Sequence, residues 1–333
     1  MRAGVDMKWY DVESELLRFG ATYNFSFGGR GIGKTYSTLK YLIKENLRFI
    51  YLRTYQTEVD LCANGDCNPF KKLNSDTGSA YGFKKITKDI TGIYDGDMNN
   101  VGYAVALSTF AKLRGVDFSD IDFILYEEFN TSARPCRNQG TLFFNFYETV
   151  NRNRELEGKE PVKVVFLGNA LSIANPIMVA FNLVSDCEWM IKNGDDIKVL
   201  EDRGIAIQIV NSNNDVSVAK RETALYKAIR GSEYYEHAVD NKFINDSFFN
   251  VRRLNINEFK PLCTIGTLNI YTHKSQYQYY VRRGNVKCRN NYTQEELDKF
   301  DRMYGSLLRN ANIDCVLFYA DYETKTALLN LLY

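Results

Sequence analysis

The sequence predicts an α/β domain over residues 1–207, a linker over 208–232 and a smaller α+β domain over 233–333. Three observations predict it. Short β-type runs alternate with helical stretches up to about residue 200, the pattern of a largely parallel sheet. One strand–turn–helix junction, "FSFGGRGIGKTYSTLKYL" at 25–42, carries four glycines in its turn. Near "QIVNSNNDVSVAKRE" the composition shifts to Asn and Ser, and beyond it the runs read as antiparallel strands and one amphipathic helix.

In the first part, "ATYNFSF" (21–27), "RFIYLRT" (48–54), "VGYAVAL" (101–107), "IDFILYE" (121–127) and "VKVVFLG" (162–168) read as strands. Lys34 to Leu47 reads as a helix, with Leu39, Leu42, Ile43 and Leu47 at three- and four-residue spacings. Between Thr57 and Asn100 lies a long insertion rich in Gly, Asn, Asp and Lys. It is expected to contain a hairpin, "KKITKDITGIYDGD", with "YDGD" as its turn. Beyond the linker, "FFNVRRLNI", "LCTIGTLNIYTH" and "QYQYYVRRGNVKC" are expected strands. "TQEELDKFDRMYGSLLRN" is an expected helix with Thr293 as N-cap and Glu296 three residues on.

The chain of 333 residues has a net charge of +1, so nucleic acid could be bound only through a local patch. Charge is uneven: residues 1–219 hold 25 basic against 28 acidic side chains, and 220–333 hold 17 against 13. Within 242–289 nine basic residues meet two acidic ones, interleaved with Tyr271, Tyr277, Tyr279 and Tyr280. That mixture suits contact with a phosphate backbone, or an ordinary solvated sheet face. No apolar run reaches membrane-spanning length, and the N-terminus has no signal-peptide pattern, so no membrane partner is expected. Seven scattered cysteines read as reduced intracellular thiols.

Gly28-Gly29-Arg30-Gly31-Ile32-Gly33-Lys34-Thr35 matches the phosphate-loop pattern G-x-x-x-x-G-K-[ST] at every position, between a strand and a helix. Its glycines let successive backbone N–H groups wrap phosphate oxygens, and the helix N-terminus adds partial positive charge. Lys34 is expected to reach the β- and γ-phosphates of ATP, and Thr35 to ligate Mg²⁺. "IDFILYEEFN" ends a buried strand in Glu127-Glu128. Glu127 stands where an Asp usually holds the metal. Glu128 stands where hydrolysing phosphate-loop motors place the base that orients water. The bland alternative is a solvated strand end. "VVFLGNALSIANP" ends a further strand at Gly168-Asn169, where the Asn169 side chain could bond the γ-phosphate, the water or Glu128, or simply make a turn. Arg152 and Arg154 in "ETVNRNRELEG" are an exposed pair on their own evidence. GTPases are disfavoured because no N-K-x-D signature occurs, and small-molecule kinases by the acidic pair and the second domain.

These motifs together resemble a family. "FSFGGRGIGKTYS", "FILYEEFN", "ETVNRNRE", "VVFLGNALSIANP", "FNLV" and "AVDNKFINDS" look like the genome-packaging ATPases of small, short-tailed, protein-primed bacteriophages, related to the large terminases. The resemblance implies a RecA-like ASCE ATPase domain and an RNase-H-like second domain that has lost its nuclease centre. It implies a homopentameric ring on the capsid portal that uses ATP and Mg²⁺ to drive double-stranded DNA into an empty prohead, with a structural RNA as a further conceivable partner. The location implied is the host cytoplasm, docked on the prohead and absent from the mature virion. Position by position, it assigns Lys34 and Thr35 to the phosphate loop, Glu128 to the catalytic carboxylate and Arg152 to a trans-acting arginine finger. Arg114 falls where the family has a second trans-acting basic residue, a lysine. The competing readings are a phosphate-loop helicase or terminase with its own nuclease, and an adaptor that binds ATP without turnover.

Overall fold

The computed structural model describes residues 7–113, 116–130, 136, 138–169, 173, 175–211, 214–232, 235 and 250–333. Two compact units divide the chain, and neither is contiguous. The first comprises residues 1–130, 141–170 and 186–242, the second 131–140, 171–185 and 243–333. Among the described residues no helix is long and apolar enough to cross a membrane.

The first unit is built on a nine-stranded sheet. Its strands are β1 (Tyr23–Phe27), β2 (Phe49–Arg53), β3 (Gly82–Lys85), β4 (Ile90–Tyr94), β5 (Asn100–Ala106), β6 (Phe123–Glu127), β7 (Lys163–Gly168), β8 (Ile197–Leu200) and β9 (Ile205–Ile209). The order is β3-β4-β5-β2-β6-β7-β1-β9-β8. The six strands from β5 to β9 in that order are mutually parallel. β3, β4 and β8 are antiparallel additions at the two edges. Central strands run as continuous apolar segments because both faces are covered; β6 (FILYE) is buried at its first four positions.

One face packs Leu39 and Leu42 of α2 (Lys34–Lys44) and Val59 of α3 (Gln56–Cys62) on Phe49, Tyr51, Phe123 and Leu125. The other face is aromatic. Phe25 and Phe166 stack with ring centres 4.2 Å apart, and Phe143 of α5 (Gln139–Asn151) closes on Phe166 at 4.9 Å. These rings fix β1 against β7, and so fix the mouth of the phosphate loop.

The five expected strands of this unit are all present. The insertion at 57–100 is more ordered than expected: it holds most of α3, α4 (Lys71–Thr77) and the sheet extension β3–β4. It holds two successive hairpins: β4 and β5 turn at "YDGD", as expected, where Asp95 Oδ1 accepts from the N–H groups of Asp97 and Asn99, and a further hairpin, β3–β4, turns at residues 86–89. Short α1 (Val12–Glu15) precedes β1, α6 (Pro176–Ala180) and α7 (Val184–Asn193) follow β7, and residues 208–232 contain the end of β9, α8 (Asp215–Arg221) and α9 (Ala224–Ala228).

The second unit holds a five-stranded sheet of β10 (Phe259–Ile265), β11 (Leu268–His273), β12 (Tyr279–Arg283), β13 (Asn291–Tyr292) and β14 (Leu317–Tyr319), ordered β13-β10-β11-β12-β14. "LCTIGTLNIYTH" is itself a hairpin of β10 and β11. "FFNVRRLNI" is not a strand over its described residues. Val251 makes an isolated bridge with Tyr319, while Leu254 and Ile256 lie against the sheet face formed by Phe259, Tyr271, Tyr280 and Phe318. The expected 293–310 helix begins at a capping box, with Thr293 and Glu296 bonding reciprocally, and continues as α, π and α turns to Ile313.

Candidate nucleotide site

β1 ends at Phe27 and the glycine-rich turn starts at once. The N–H of Gly28 donates to the carbonyl of Gly168 (3.2 Å), tying the loop to the end of β7. Gly33 caps α2 with φ 102°, a backbone that side-chain-bearing residues rarely adopt. Lys34 follows as the first helical residue. Its ammonium is buried and donates to the carbonyls of Gly28 (2.8 Å) and Gly29 (3.0 Å). Burial pulls its pKa down to about 8, against the opposing pull of Glu127.

Thr35 donates its hydroxyl to Oε1 of Glu127 at 3.0 Å. The other oxygen, Oε2, is buried with no hydrogen-bond partner, and burial raises the pKa of this carboxyl. A buried carboxylate oxygen left unpaired beside a hydroxyl is a hard-oxygen donor set. It fits a divalent cation such as Mg²⁺.

Glu128 follows the last residue of β6, with φ 49°. Its carboxylate is held by Arg53 at the end of β2, 2.8 Å from Nη2 to Oε2, and the same guanidinium reaches Glu58 at 3.3 Å. β2 and β6 are parallel neighbours, so their C-terminal ends bring Arg53 and Glu128 together.

Asn169 lies just beyond β7, between the strand that feeds the phosphate loop and the strand that ends in the two glutamates. Its main-chain N–H and carbonyl are both bonded. The Asn130 amide accepts from the Asn169 N–H (3.1 Å) and donates to its carbonyl (2.6 Å). The bond from Asn169 to Glu128 considered from sequence is not among its contacts; Glu128 Oε2 is held by Arg53 instead. Gly168 permits the Asn130 clamp: a Cβ there would lie 2.6 Å from Asn130 Oδ1.

These groups line one open cleft of about 910 Å³. Arg30, Gly31, Gly33, Lys34, Thr35, Glu127, Glu128 and Asn169 face it, with Trp9, Tyr36 and Lys72 further along. Of the remaining loop positions, Gly28 and Gly29 contribute the carbonyls on Lys34, and Ile32 is buried against Tyr10 and Val210. The structure adds residues that the motif does not contain: Arg53, Asn130 and Lys220. Lys220, on α8, donates its ammonium to the Arg30 carbonyl.

Arg152 does not line this cleft. It follows α5 with φ 44°, and its exposed guanidinium reaches the Val116 carbonyl (3.2 Å) and Asp117 (3.5 Å). Arg154 is mostly buried and bonds the carbonyls of Ile121 and Glu160 and the carboxylate of Asp122. Arg114 lies outside the described residues. In the second unit, Arg252 lies over the Phe318 ring and Arg282 over the Tyr271 ring. Tyr271, Tyr279 and Tyr280 are buried in the sheet, and Tyr277 is exposed. Of the four expected to interleave on a contact surface, three are therefore packing residues.

Fold and site together define a phosphate-loop protein with an ASCE-type sheet and a second α+β unit. The chain belongs to the Podovirus DNA encapsidation protein (Gp16) family, whose model matches residues 5–307. It is 29% identical over 250 residues to the DNA packaging protein of Bacillus phage phi29, covering 73% of this chain and 68% of that one. To the DNA packaging protein of Bacillus phage B103 it is 32% identical over 241 residues, covering 70% and 67%. Its fold is similar to that of the Phi-28 gp11 DNA packaging motor (TM-score 0.63, 17% identity, 98% of this chain and 97% of that one). It is also similar to a chain of the phi29 viral genome packaging motor assembly (TM-score 0.57, 22% identity, 98% and 99%).

Proposed function

We propose that this chain hydrolyses ATP to drive double-stranded viral DNA into a preformed prohead, as a ring of five copies docked on the portal in the host cytoplasm. The observation that carries the reading is the meeting, in one cleft, of the phosphate loop and the two glutamates that end β6. Family membership supports DNA as the cargo.

The roles follow from placement. Lys34, already directed into the loop, exchanges its carbonyl partners for the β- and γ-phosphates. Thr35 and Glu127 would hold Mg²⁺, which would supply charge neutralisation for phosphoryl transfer. Glu128 orients and deprotonates the attacking water once Arg53 releases it. Asn169, held by Asn130, presents its side chain beside the γ-phosphate. Arg152, exposed and away from its own cleft, acts on the neighbouring subunit's γ-phosphate. Arg154 supports the turn that carries it.

The test is ATP-dependent protection of DNA from nuclease in the presence of matched empty capsids, with Lys34→Ala as the inactive control. Protection that needs ATP and is lost in the control supports the reading. Protection without ATP, or none while ATP is still hydrolysed, sinks it.

A further inference from the structure

The cleft has two ends of different chemistry. Glu127, Glu128 and Asn169 crowd one end, where the γ-phosphate belongs. The phosphate loop cradles the α- and β-phosphates, so the rest of a nucleotide leaves on the opposite side, past the start of α2. On that side, in the segment that Tyr10 ties to Gln208 of β9, stands Trp9, which lines the cleft.

Trp9 is an uncommon side chain to leave open. The residue is 55% exposed, although the residues that follow it are tied down. The Tyr10 N–H donates to the Ile32 carbonyl of the phosphate loop (3.3 Å), and the Tyr10 hydroxyl donates to Gln208 (2.8 Å). The Val12 N–H donates to Ser37 Oγ on α2 (2.8 Å). On the other side, the Lys8 N–H donates to Asp215 (3.1 Å). The segment is thus strapped to the loop and to α2. The indole rests on Gly33, its Cε3 3.4 Å from where a Cβ of that glycine would lie. The ring is a flat apolar surface, fixed beside the loop and open to the cleft.

We propose that Trp9 is the base platform of this site: the purine of the bound nucleotide stacks on its indole face. The phosphate loop reads only phosphates, and Trp9 supplies the contact that distinguishes a nucleoside triphosphate from a bare polyphosphate. Stacking of this kind accepts any π-face, so the platform favours purines for their larger area without choosing between them by hydrogen bonds. The proposal rests on the reading of the cleft as an ATP site.

The chain has two tryptophans, so Trp189→Phe leaves Trp9 as the single emitter. In that full-length protein, ATP should quench tryptophan emission saturably, and inorganic tripolyphosphate should bind without quenching. Trp9→Ala should weaken ATP binding about tenfold, the size of one base–aromatic stack. Its tripolyphosphate affinity should be unchanged, and Trp9→Tyr should recover most of the loss. Saturable ATP binding with no change in Trp9 emission, or equal ATP affinity of Trp9→Ala and the parent, overturns the platform and leaves the ATP site standing. If the parent itself binds no ATP by equilibrium dialysis, platform and ATP site fall together. Because the quenching is read on the native residue 9, the result does not depend on Trp9→Ala folding.

Discussion

Arg53 and Glu128 are joined by an ion pair of 2.8 Å across the ends of two neighbouring parallel strands. The arginine side chain is mostly buried and is also bound to Glu58, while the glutamate is two-fifths exposed. On the proposed reading, the guanidinium holds Oε2 and ties Glu128 to the end of β2, so the pair restrains the carboxylate until it opens. Arg53→Ala should release Glu128 without touching the phosphate loop. Basal and DNA-stimulated phosphate release should converge, with ATP affinity within about threefold of the parent, less than one tenfold step in free energy. An unchanged ratio of stimulated to basal rate would show that the pair does not control Glu128.

Glu128→Gln keeps the size of the side chain and removes the base. ATP should bind normally, and hydrolysis should fall by about 10²–10⁴, the usual contribution of a general base. The bound complex should then outlive that of the parent when nucleotide release is followed. Wild-type turnover in this variant excludes Glu128 as the base.

Glu127→Ala removes the oxygen that lacks a partner. The gain in ATP affinity on adding Mg²⁺, measured against EDTA, should shrink at least about tenfold. Affinity in EDTA should be little changed, because Lys34 and the loop N–H groups remain. If the Mg²⁺-dependent gain survives, Thr35 holds the metal without Glu127.

Arg152→Ala should bind ATP and hydrolyse it about 10³–10⁵ times more slowly, the value of an arginine finger. Mixing separates action in trans from action in cis. In a mixed ring, an Arg152→Ala subunit retains Glu128 and can receive Arg152 from a neighbouring Glu128→Gln subunit. Recovery of part of the hydrolysis is the expected result. Dead mixtures, with mixed rings shown to form, would place the action of Arg152 within its own subunit.

Arg154→Ala is expected to act on stability. It loses bonds to two carbonyls and to Asp122, mostly out of water. Unfolding in urea should show a loss of about 2 kcal/mol. ATP affinity should stay as in the parent. A variant as stable as the parent but unable to hydrolyse ATP would move Arg154 into the catalytic set.

How much of this was legible in the sequence depends on where each residue's partners lie. β1, β2, β5, β6 and β7 were readable because buried parallel strands are continuous apolar runs. The phosphate loop was readable because its geometry is local, with every contributor within eight residues of chain, Gly28 to Thr35. β9 was not: "IAIQI" is short, its neighbour β1 lies far upstream, and it crosses the expected boundary at 207. Arg53 was missed although a signal existed. It ends "IYLR", and charged residues at the C-terminal ends of parallel strands face the site in such sheets. Lys220 left no signal, because nothing in α8 says that it reaches the loop carrying Arg30. The tyrosines of the second unit misled because alternation along β11 and β12 places them on packed faces, which composition cannot distinguish from open ones.

Glu128 and Arg152 share a backbone feature, φ 49° and φ 44°, that glycine would adopt at no steric expense. Each left-handed side-chain residue sacrifices about 1 kcal/mol of folding stability. For Arg152 little is regained locally, since its partners, the Val116 carbonyl at 3.2 Å and Asp117 at 3.5 Å, are met at the exposed surface. Selection for heat resistance alone would therefore find Arg152→Gly an improvement and, if Arg152 has its proposed role, would isolate a hardier protein that no longer turns over ATP. Directed evolution of this chain for robustness would then have to screen turnover in parallel, because durability and work would pull in opposite directions at this position.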